Sequence, residues 1–148
     1  MHRELVDAEK AFRFKFKVMA TVKNFEDLEI WVSARNICKD LFRIKQNSEL
    51  KSDYKLYNQI NGASGSIMDN IAEGFERNGN REFIQFLAVA KASCGETRSQ
   101  LYRALDRKYI EKEEFDLLYN KLILLSKQIS SFINYLQKSE LKGTKFKD

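Results

Sequence analysis

The chain contains no proline in 148 residues, and this absence constrains its fold more than any other feature. Proline removes a backbone donor and kinks a helix interior, so a proline-free chain can carry long uninterrupted helices. Apolar residues also recur at steps of three and four, which is the period of an amphipathic helix. No apolar run approaches the roughly 20 residues that cross a bilayer. We therefore expect an all-α protein without a membrane span. Because no signal peptide is recognisable at the N-terminus, we also expect a cytoplasmic location.

Four helical segments follow from this period. Their predicted limits are Asn24 to Lys45, Leu50 to Arg77, Arg81 to Arg107 and, after a turn at residues 108–111, a last helix that ends near Leu141. Asn24 is a good N-cap, and Asp27 follows at the spacing of a capping box. Because the loops have only a few residues, neighbouring helices must be antiparallel, which predicts an up-down-up-down four-helix bundle over residues 24–141. Residues 1–23 are expected to be a flexible N-terminal extension, with Met19 as an alternative start, and residues 142–148 a frayed basic tail.

The predicted core face of each helix is read from the same period. In the first helix it holds Leu28, Trp31, Ala34 or Arg35, Cys38, Leu41 and Phe42, and in the second Leu50, Tyr54, Tyr57, Ile60, Ser64, Ile67 and Ile71. The third and fourth faces are centred on Phe83, Ala90, Cys94 and Leu101 and on Phe115, Leu118, Leu122, Leu125, Ile129 and Leu136. Several aromatic residues exceed what one stripe per helix needs, and such a surplus favours self-association. They are Tyr54, Tyr57, Phe83, Phe86, Phe132 and Tyr135.

The formal net charge of +5 favours nucleic-acid binding, but its distribution is uneven. The extension carries +3 and the tail +2, whereas residues 24–141 hold 17 basic and 17 acidic side chains. Within that neutral body, residues 48–76 sum to −3 and residues 77–108 to +4. The first candidates for contact with RNA or DNA phosphates are therefore Arg77, Arg81, Arg98, Arg103 and Arg107, near Tyr102 and Tyr109. A second set, at steps of four on the first helix, is Arg35, Lys39 and Arg43. The alternative for each is an ordinary solvated surface with local ion pairs.

Several classes of site are excluded or disfavoured by composition. His2 is the only histidine, which removes histidine-based catalysis and most metal sites. Phosphate-binding and dinucleotide-binding glycine patterns are missing. Cys38 and Cys94 lie within helical patterns and are interpreted as buried thiols. We therefore predict no catalytic residues, no metal and no cofactor.

Residues 61–77 place glycines inside the second helix, at Gly62, Gly65 and Gly74, where each costs about 0.5–1 kcal/mol relative to alanine. Close packing between helix backbones is the preferred explanation, with a binding surface as the alternative. Asn70 and Glu73 share a helical face and are predicted to be buried and hydrogen-bonded near the turn to the third helix. Ser93 and Glu96 share a face of that next helix, so either a structural polar network between the two helices or an ordinary solvated face is expected.

The runs FEDLEIWVSAR and QINGASGSIMDNIAEGFERNGNREFIQFLAVAKASCGETRSQL resemble the proteins encoded in intervening sequences of bacterial 23S ribosomal RNA genes (S23-type proteins). The resemblance covers about residues 24–140, and its most specific part, residues 67–96, contains Asn70, Glu73, Gly74, Ser93 and Glu96. It implies a four-helix bundle that assembles as a ring-shaped homopentamer without enzymatic activity. It also implies relatives that are accessory proteins of diversity-generating retroelements, in which a basic surface binds nucleic acid and a reverse transcriptase.

Together these observations predict a non-enzymatic, oligomeric bundle that binds RNA or DNA through phosphate contacts, as a ribonucleoprotein or retroelement accessory factor. The alternative is a structural or protein-interaction module with no role on nucleic acid.

Overall fold

The computed structural model of the chain describes residues 22–143. Four α-helices make up most of this part: α1 (Glu29–Gln46), α2 (Tyr54–Phe75), α3 (Asn80–Asp106) and α4 (Lys112–Gly143). No β-strand occurs among the described residues. The predicted all-α bundle is thus confirmed. Most of the predicted N-terminal extension and most of the predicted tail lie outside the described residues.

The helices pack in chain order around one core. α2 packs most extensively against α3, α3 against α4, and α1 against α2, while α4 returns to contact α1. α1 and α3 are therefore diagonal to each other, as are α2 and α4. The centre of the bundle is filled by side chains that are almost completely buried, among them Ile37, Ile60, Ile67, Ile71, Leu87, Leu101, Leu122 and Leu125.

The start of the first helix was wrongly predicted. Asn24 precedes a short 3₁₀-helix, Phe25–Asp27, and its side chain makes no capping hydrogen bond. Leu28 then adopts an extended conformation, with φ of −72° and ψ of 125°, and α1 begins at Glu29. Leu28 is 1% exposed, so its side chain is anchored in the core before the helix starts. This burial, which a capping pattern cannot show, moves the start of the helix by five residues.

The second helix also begins later than predicted, at Tyr54 instead of Leu50. A 3₁₀-helix, Glu49–Ser52, comes first, and the Oγ of Ser48 accepts a hydrogen bond from the Leu50 amide at 3.3 Å. Asp53 then caps α2, because its carboxylate accepts a hydrogen bond from the Leu56 amide at 3.2 Å. A capping carboxylate satisfies an amide that has no partner within the helix. Asp53 therefore separates two segments that the apolar period joins.

The predicted core face of α1 was wrong by about one position. The buried row consists of Ile30, Ala34, Ile37, Leu41 and Ile44. Trp31 and Cys38 are only half-buried at the edge of the core, and Phe42 is 50% exposed. In α2, Tyr54 was also placed wrongly, since it is 75% exposed. The faces predicted for α3 and α4 are buried as expected.

The turn from α3 to α4 has a specific backbone geometry. The amide of Tyr109 donates to the carbonyl of Ala104, and that of Lys108 to the carbonyl of Leu105, both at 2.9 Å. These two bonds form a Schellman motif, in which one residue adopts a left-handed conformation. That residue is Lys108, with φ of 58°. The motif ends α3 sharply and sends the chain back as α4. No helix in the described part of the chain is long and apolar enough to cross a membrane.

Candidate nucleic-acid interface

The arginines of α3 lie on two different edges of the helix. The guanidinium of Arg98 lies over the ring of Tyr119, so Arg98 faces α4. Arg103 donates to the side-chain oxygen of Gln59 at 2.8 Å, and Arg107 reaches Asp53, so both face the α2 side. Arg81 is exposed at the first turn of α3. The predicted set is therefore not one continuous surface.

Acidic neighbours neutralise part of this set. Arg77 pairs with Glu73 at 3.2 Å and approaches Glu82 at 4.0 Å. Arg107 contacts the Asp53 carboxylate at 2.7 Å. An anionic ligand would have to compete with these carboxylates, so Arg77 and Arg107 are weaker phosphate-binding candidates than the sequence indicated.

Three of the predicted arginines have no carboxylate partner among the described residues. Arg98 is held by an aromatic ring and Arg103 by a neutral amide, neither of which cancels the positive charge. Within the described part of the chain, no ion pair engages Arg81. These three are the strongest phosphate-contact candidates among the residues of α3.

Arg98 belongs to a group that we call the cation–aromatic patch, which consists of Arg98, Tyr102, Phe115 and Tyr119. The ring centroids of Tyr102 lie 4.8 Å from Phe115 and 5.9 Å from Tyr119. Tyr102 is 48% exposed, and the neighbouring negative charge that Tyr119 would carry raises the pKa of Tyr102. The patch thus presents a cation beside an accessible aromatic ring, a combination that can contact a phosphate and stack on a base.

Sequence reasoning missed Tyr119 and Phe115 as members of this patch, although a signal was available. Antiparallel helices bring together residues that are equally far from the connecting turn. Tyr102 and Phe115 are nearly equidistant from the turn at residues 108–111, and so are Arg98 and Tyr119.

The Asp53 carboxylate ties the start of α2 to the end of α3. Besides the capping bond, it accepts hydrogen bonds from the hydroxyl of Tyr109 at 2.8 Å and from Arg107. The Tyr109 hydroxyl, followed by the Leu56 amide and Arg107, holds the pKa of Asp53 below its ordinary value. The same bond raises the pKa of Tyr109, because the hydroxyl must keep its proton to donate. Tyr109, predicted to lie near a binding surface, thus has a structural partner.

The basic row of α1 is separate from the α3 arginines, because α1 and α3 are diagonal in the bundle. Arg35 lies over the ring of Trp31, and Arg43 pairs with Asp40 at 3.3 Å. Asp40 also contacts Lys121 of α4 at 2.7 Å. Lys39 is exposed, and no ion pair engages it within residues 22–139. The two predicted basic sets therefore cannot contact the same short stretch of phosphates in one copy of the chain.

The polar link between α2 and α3 differs from the predicted one. The Asn70 amide donates to the Ser66 carbonyl at 2.7 Å and to its hydroxyl at 2.9 Å, within α2. The Ser93 hydroxyl donates to the Ser66 hydroxyl at 3.0 Å, and this bond joins the helices. It lies roughly 20 Å from the turn, at 1.5 Å per residue. The link is therefore a pair of serines in mid-helix, with Asn70 half-buried beside it.

The prediction that Glu73 is buried was wrong. Its side chain is 55% exposed and pairs with Arg77, which follows the end of α2. Glu96 is also exposed, and it accepts a hydrogen bond from the Gln100 amide at 3.4 Å. Both carboxylates are exposed, and each has a partner four residues along the chain. Neither forms the expected link between helices.

Of the three glycines, only Gly74 is explained by close packing. A Cβ atom at Gly74 would lie 2.7 Å from the Cβ of Phe86 and 2.9 Å from the Cδ1 of Phe83. At Gly62 and Gly65 a Cβ would meet nothing within 4 Å. Close packing within the chain, the preferred explanation for all three, is thus wrong for Gly62 and Gly65.

Burial makes both cysteines unreactive thiols. Cys94 is completely buried, and this burial raises its pKa to about 12. Burial also raises the pKa of Cys38, which is half-buried. Among the described residues, no group of three or more histidine, cysteine, aspartate or glutamate side chains is placed to hold a metal ion.

Comparison with known proteins matches this architecture to one family. The family model described as 23S rRNA-intervening sequence protein matches residues 26–131. A crystal structure from Bacteroides thetaiotaomicron, of a protein with unknown function from the S23 ribosomal protein family, aligns with a TM-score of 0.64. The two chains are 21% identical, and the alignment covers 70% of this chain and 97% of the other. At that identity the likeness shows the fold alone. No curated protein matches the chain.

Proposed function

Because this chain belongs to the family of 23S rRNA-intervening sequence proteins, we propose that it is a non-enzymatic, oligomeric bundle that binds RNA or DNA through phosphate contacts. It would act as an accessory factor of a ribonucleoprotein or a retroelement. The observation that carries the proposal is the cation–aromatic patch, in which the uncancelled charge of Arg98 lies next to the accessible ring of Tyr102. Arg103 and Arg81 add two further charges along the same helix.

Affinity in this proposal comes from repetition. The bundle body is neutral, so a single copy offers only a few uncompensated arginines. Several copies in one assembly would present the patch repeatedly, and linked weak sites bind far more tightly than one alone. Contacts with phosphates carry no sequence information, so the expected binding is weakly sequence-specific.

Self-association is supported by exposed apolar side chains, although not by the surplus aromatic residues from which the sequence predicted it. Of those six aromatic residues only Tyr54 is exposed, because Phe83 and Phe132 are buried and the other three are half-buried. Leu117 and Leu124 are each 57% exposed and lie two turns apart on one face of α4. Val32 and Phe42 are exposed on α1. Paired exposed leucines are unfavourable in water, so we expect them to be covered in an assembly.

The test is an electrophoretic shift assay with structured RNA and duplex DNA at about 50 mM and 200 mM salt. We expect binding to weaken steeply with salt, with a log–log slope of roughly −0.7 to −0.9 for each phosphate neutralised. The double variant Arg98→Glu, Arg103→Glu should bind more weakly and show a shallower slope. Arg43→Glu, Arg77→Glu is the matched control, because it changes the net charge equally at arginines that already have carboxylate partners.

Equal loss of affinity in the two double variants would refute a specific role for Arg98 and Arg103 and would attribute binding to net charge alone. No shift at low salt with micromolar protein would favour the second candidate, a structural or protein-interaction module. That candidate is supported by the ion pairs that occupy Arg43, Arg77 and Arg107 and by the exposed leucines of α4. Light scattering tests the oligomeric part of the proposal independently of binding. The mass of a monomer at micromolar concentration would contradict it.

A further inference from the structure

An open groove lies at the end of the bundle where α2 turns into α3. Its volume is about 460 Å³, and its walls come from the turn, from α3 and from the last part of α4. Phe75, Phe83, Phe132 and Tyr135 supply aromatic surface to it. The rings form a connected series, with centroids 6.0 Å apart for Phe75 and Phe83 and 5.3 Å apart for Phe83 and Phe132. The groove therefore suits a ligand that brings aromatic or other apolar side chains.

The first described residues lead into the wall of this groove. Val22 and Phe25 pack against the core, and Leu28, six residues after Val22, is part of the groove wall. The 21 residues that precede Val22 therefore join the bundle within six residues of the groove wall. From residue 16 to Val22 an extended chain spans roughly 20 Å, at about 3.3 Å per residue. Since packed helices are about 8–10 Å apart, that length reaches across the end of the bundle.

The sequence before Val22 matches the chemistry of the groove. Phe12, Phe14 and Phe16 alternate with Arg13, Lys15 and Lys17, so an extended backbone would carry three aromatic rings on one side and three cations on the other. Acidic side chains lie beside the groove. Glu76 is exposed between Phe75 and Arg77, which both line the groove, and Glu73 and Glu82 are exposed next to Arg77. Within residues 73–82 these three acids exceed the two basic side chains, Arg77 and Arg81, by one.

We propose that residues 12–16 dock into this groove of their own chain, with the phenylalanines against the aromatic wall and the basic side chains towards Glu73, Glu76 and Glu82. The docked segment would cover the aromatic rings and place its cations near Glu76 and near Glu73 and Glu82, which otherwise pair with Arg77. This interaction does not depend on nucleic-acid binding, so each proposal can fail without the other.

Photo-crosslinking of the full chain tests the proposal directly. Benzoylphenylalanine at position 14 should crosslink within one chain to residues 75–83 and 132–139, as mapped by mass spectrometry. The control is the same probe at position 5, which lies outside the alternating segment and should give no crosslink enrichment there. Crosslinks from position 14 that scatter over all four helices would overturn the proposal. So would crosslinks that join two chains, since they would place the segment on a neighbouring copy.

Thermal unfolding provides a second, independent measurement. The triple variant Phe12→Ser, Phe14→Ser, Phe16→Ser should melt a few degrees below the parent chain, since about 1 kcal/mol corresponds to roughly 2–8 °C. A chain that begins at Met19 should show the same decrease. The control variant Leu5→Ser, Val6→Ser should melt like the parent. Melting temperatures that are equal for the triple variant, the shortened chain and the parent would overturn the proposal.

Discussion

Gly74 packs tightly against α3, and replacing it with alanine tests the packing of the bundle. The new Cβ would lie 2.7 Å from the Cβ of Phe86, 2.9 Å from the Cδ1 of Phe83 and 3.4 Å from the Phe83 carbonyl oxygen. The Phe86 atom is bonded directly to the backbone and cannot swing away. The two helices must therefore move apart locally.

The expected size of the effect follows from two opposing contributions. Overpacking of a well-packed site costs about 1–3 kcal/mol. Alanine in a helix interior recovers about 0.5–1 kcal/mol relative to glycine. We therefore expect Gly74→Ala to lower the free energy of unfolding by about 1–2 kcal/mol. Urea unfolding followed by circular dichroism, at one fixed protein concentration, measures this value.

Gly62→Ala is the matched control, because it makes the same chemical change on the same helix where a Cβ meets nothing within 4 Å. At Gly62 only the higher helix propensity of alanine contributes, and we expect the free energy of unfolding to rise by about 0.5–1 kcal/mol. Equal stability changes in the two variants would refute the packing argument for Gly74. A marked loss at Gly62 would show that another molecule covers that face of α2.

Two further predictions concern the ends of the helices. Asp53→Asn should lower stability at pH 7, because it removes the negative charge that Arg107 and the Tyr109 hydroxyl contact. Since the pKa of Asp53 is held below its ordinary value of 3.8, its contribution is complete above that pH and is lost as the pH falls through the folded-state pKa. The difference between the urea midpoints of parent and variant should therefore be full at pH 7 and shrink as the pH falls below 3.8, and a difference that stays constant with pH would contradict this account. Lys108→Gly should raise stability by about 1 kcal/mol, since glycine adopts a φ of 58° without strain, whereas Lys108→Ala should give no gain in the same assay.

The apolar period predicted most of the fold because three of the helices have one unambiguous face. In α4 the residues from Phe115 to Leu136 form a single apolar row, and that row is buried. In α1 two apolar rows lie side by side, one through Trp31 and Cys38 and the other through Ile30 and Ile37. Periodicity cannot choose between adjacent rows. The choice depends on how far the helix rotates against α2, where Lys45 of α1 lies 4.7 Å from the ring of Tyr57.

The candidate interface was less predictable, because it depends on which charges find partners. Sequence spacing identified the arginines, but Asp53 and Arg107 are 54 residues apart, and only the packing of α2 against α3 joins them. Equal distance from a turn gives the level of a residue along a helix, not the direction in which its side chain points. Glu73 was placed at a suitable level and yet faces solvent. To predict the contact between Arg98 and Tyr119, both the position of each residue along its helix and the rotation of each helix about its axis must be known.

The contact between α1 and α4 differs from the other three helix contacts, because these two helices are not consecutive in the chain. Consecutive helices are joined by a few residues, whereas α1 and α4 meet only after the whole chain between them has been ordered, which raises the entropy lost on closure. Their contact is also the least extensive of the four. We therefore infer that α1 docks last during folding and detaches first in local unfolding. A detached α1 leaves a vacant site between α2 and α4, so this joint is where two copies of the chain would most readily exchange a helix and form a domain-swapped dimer.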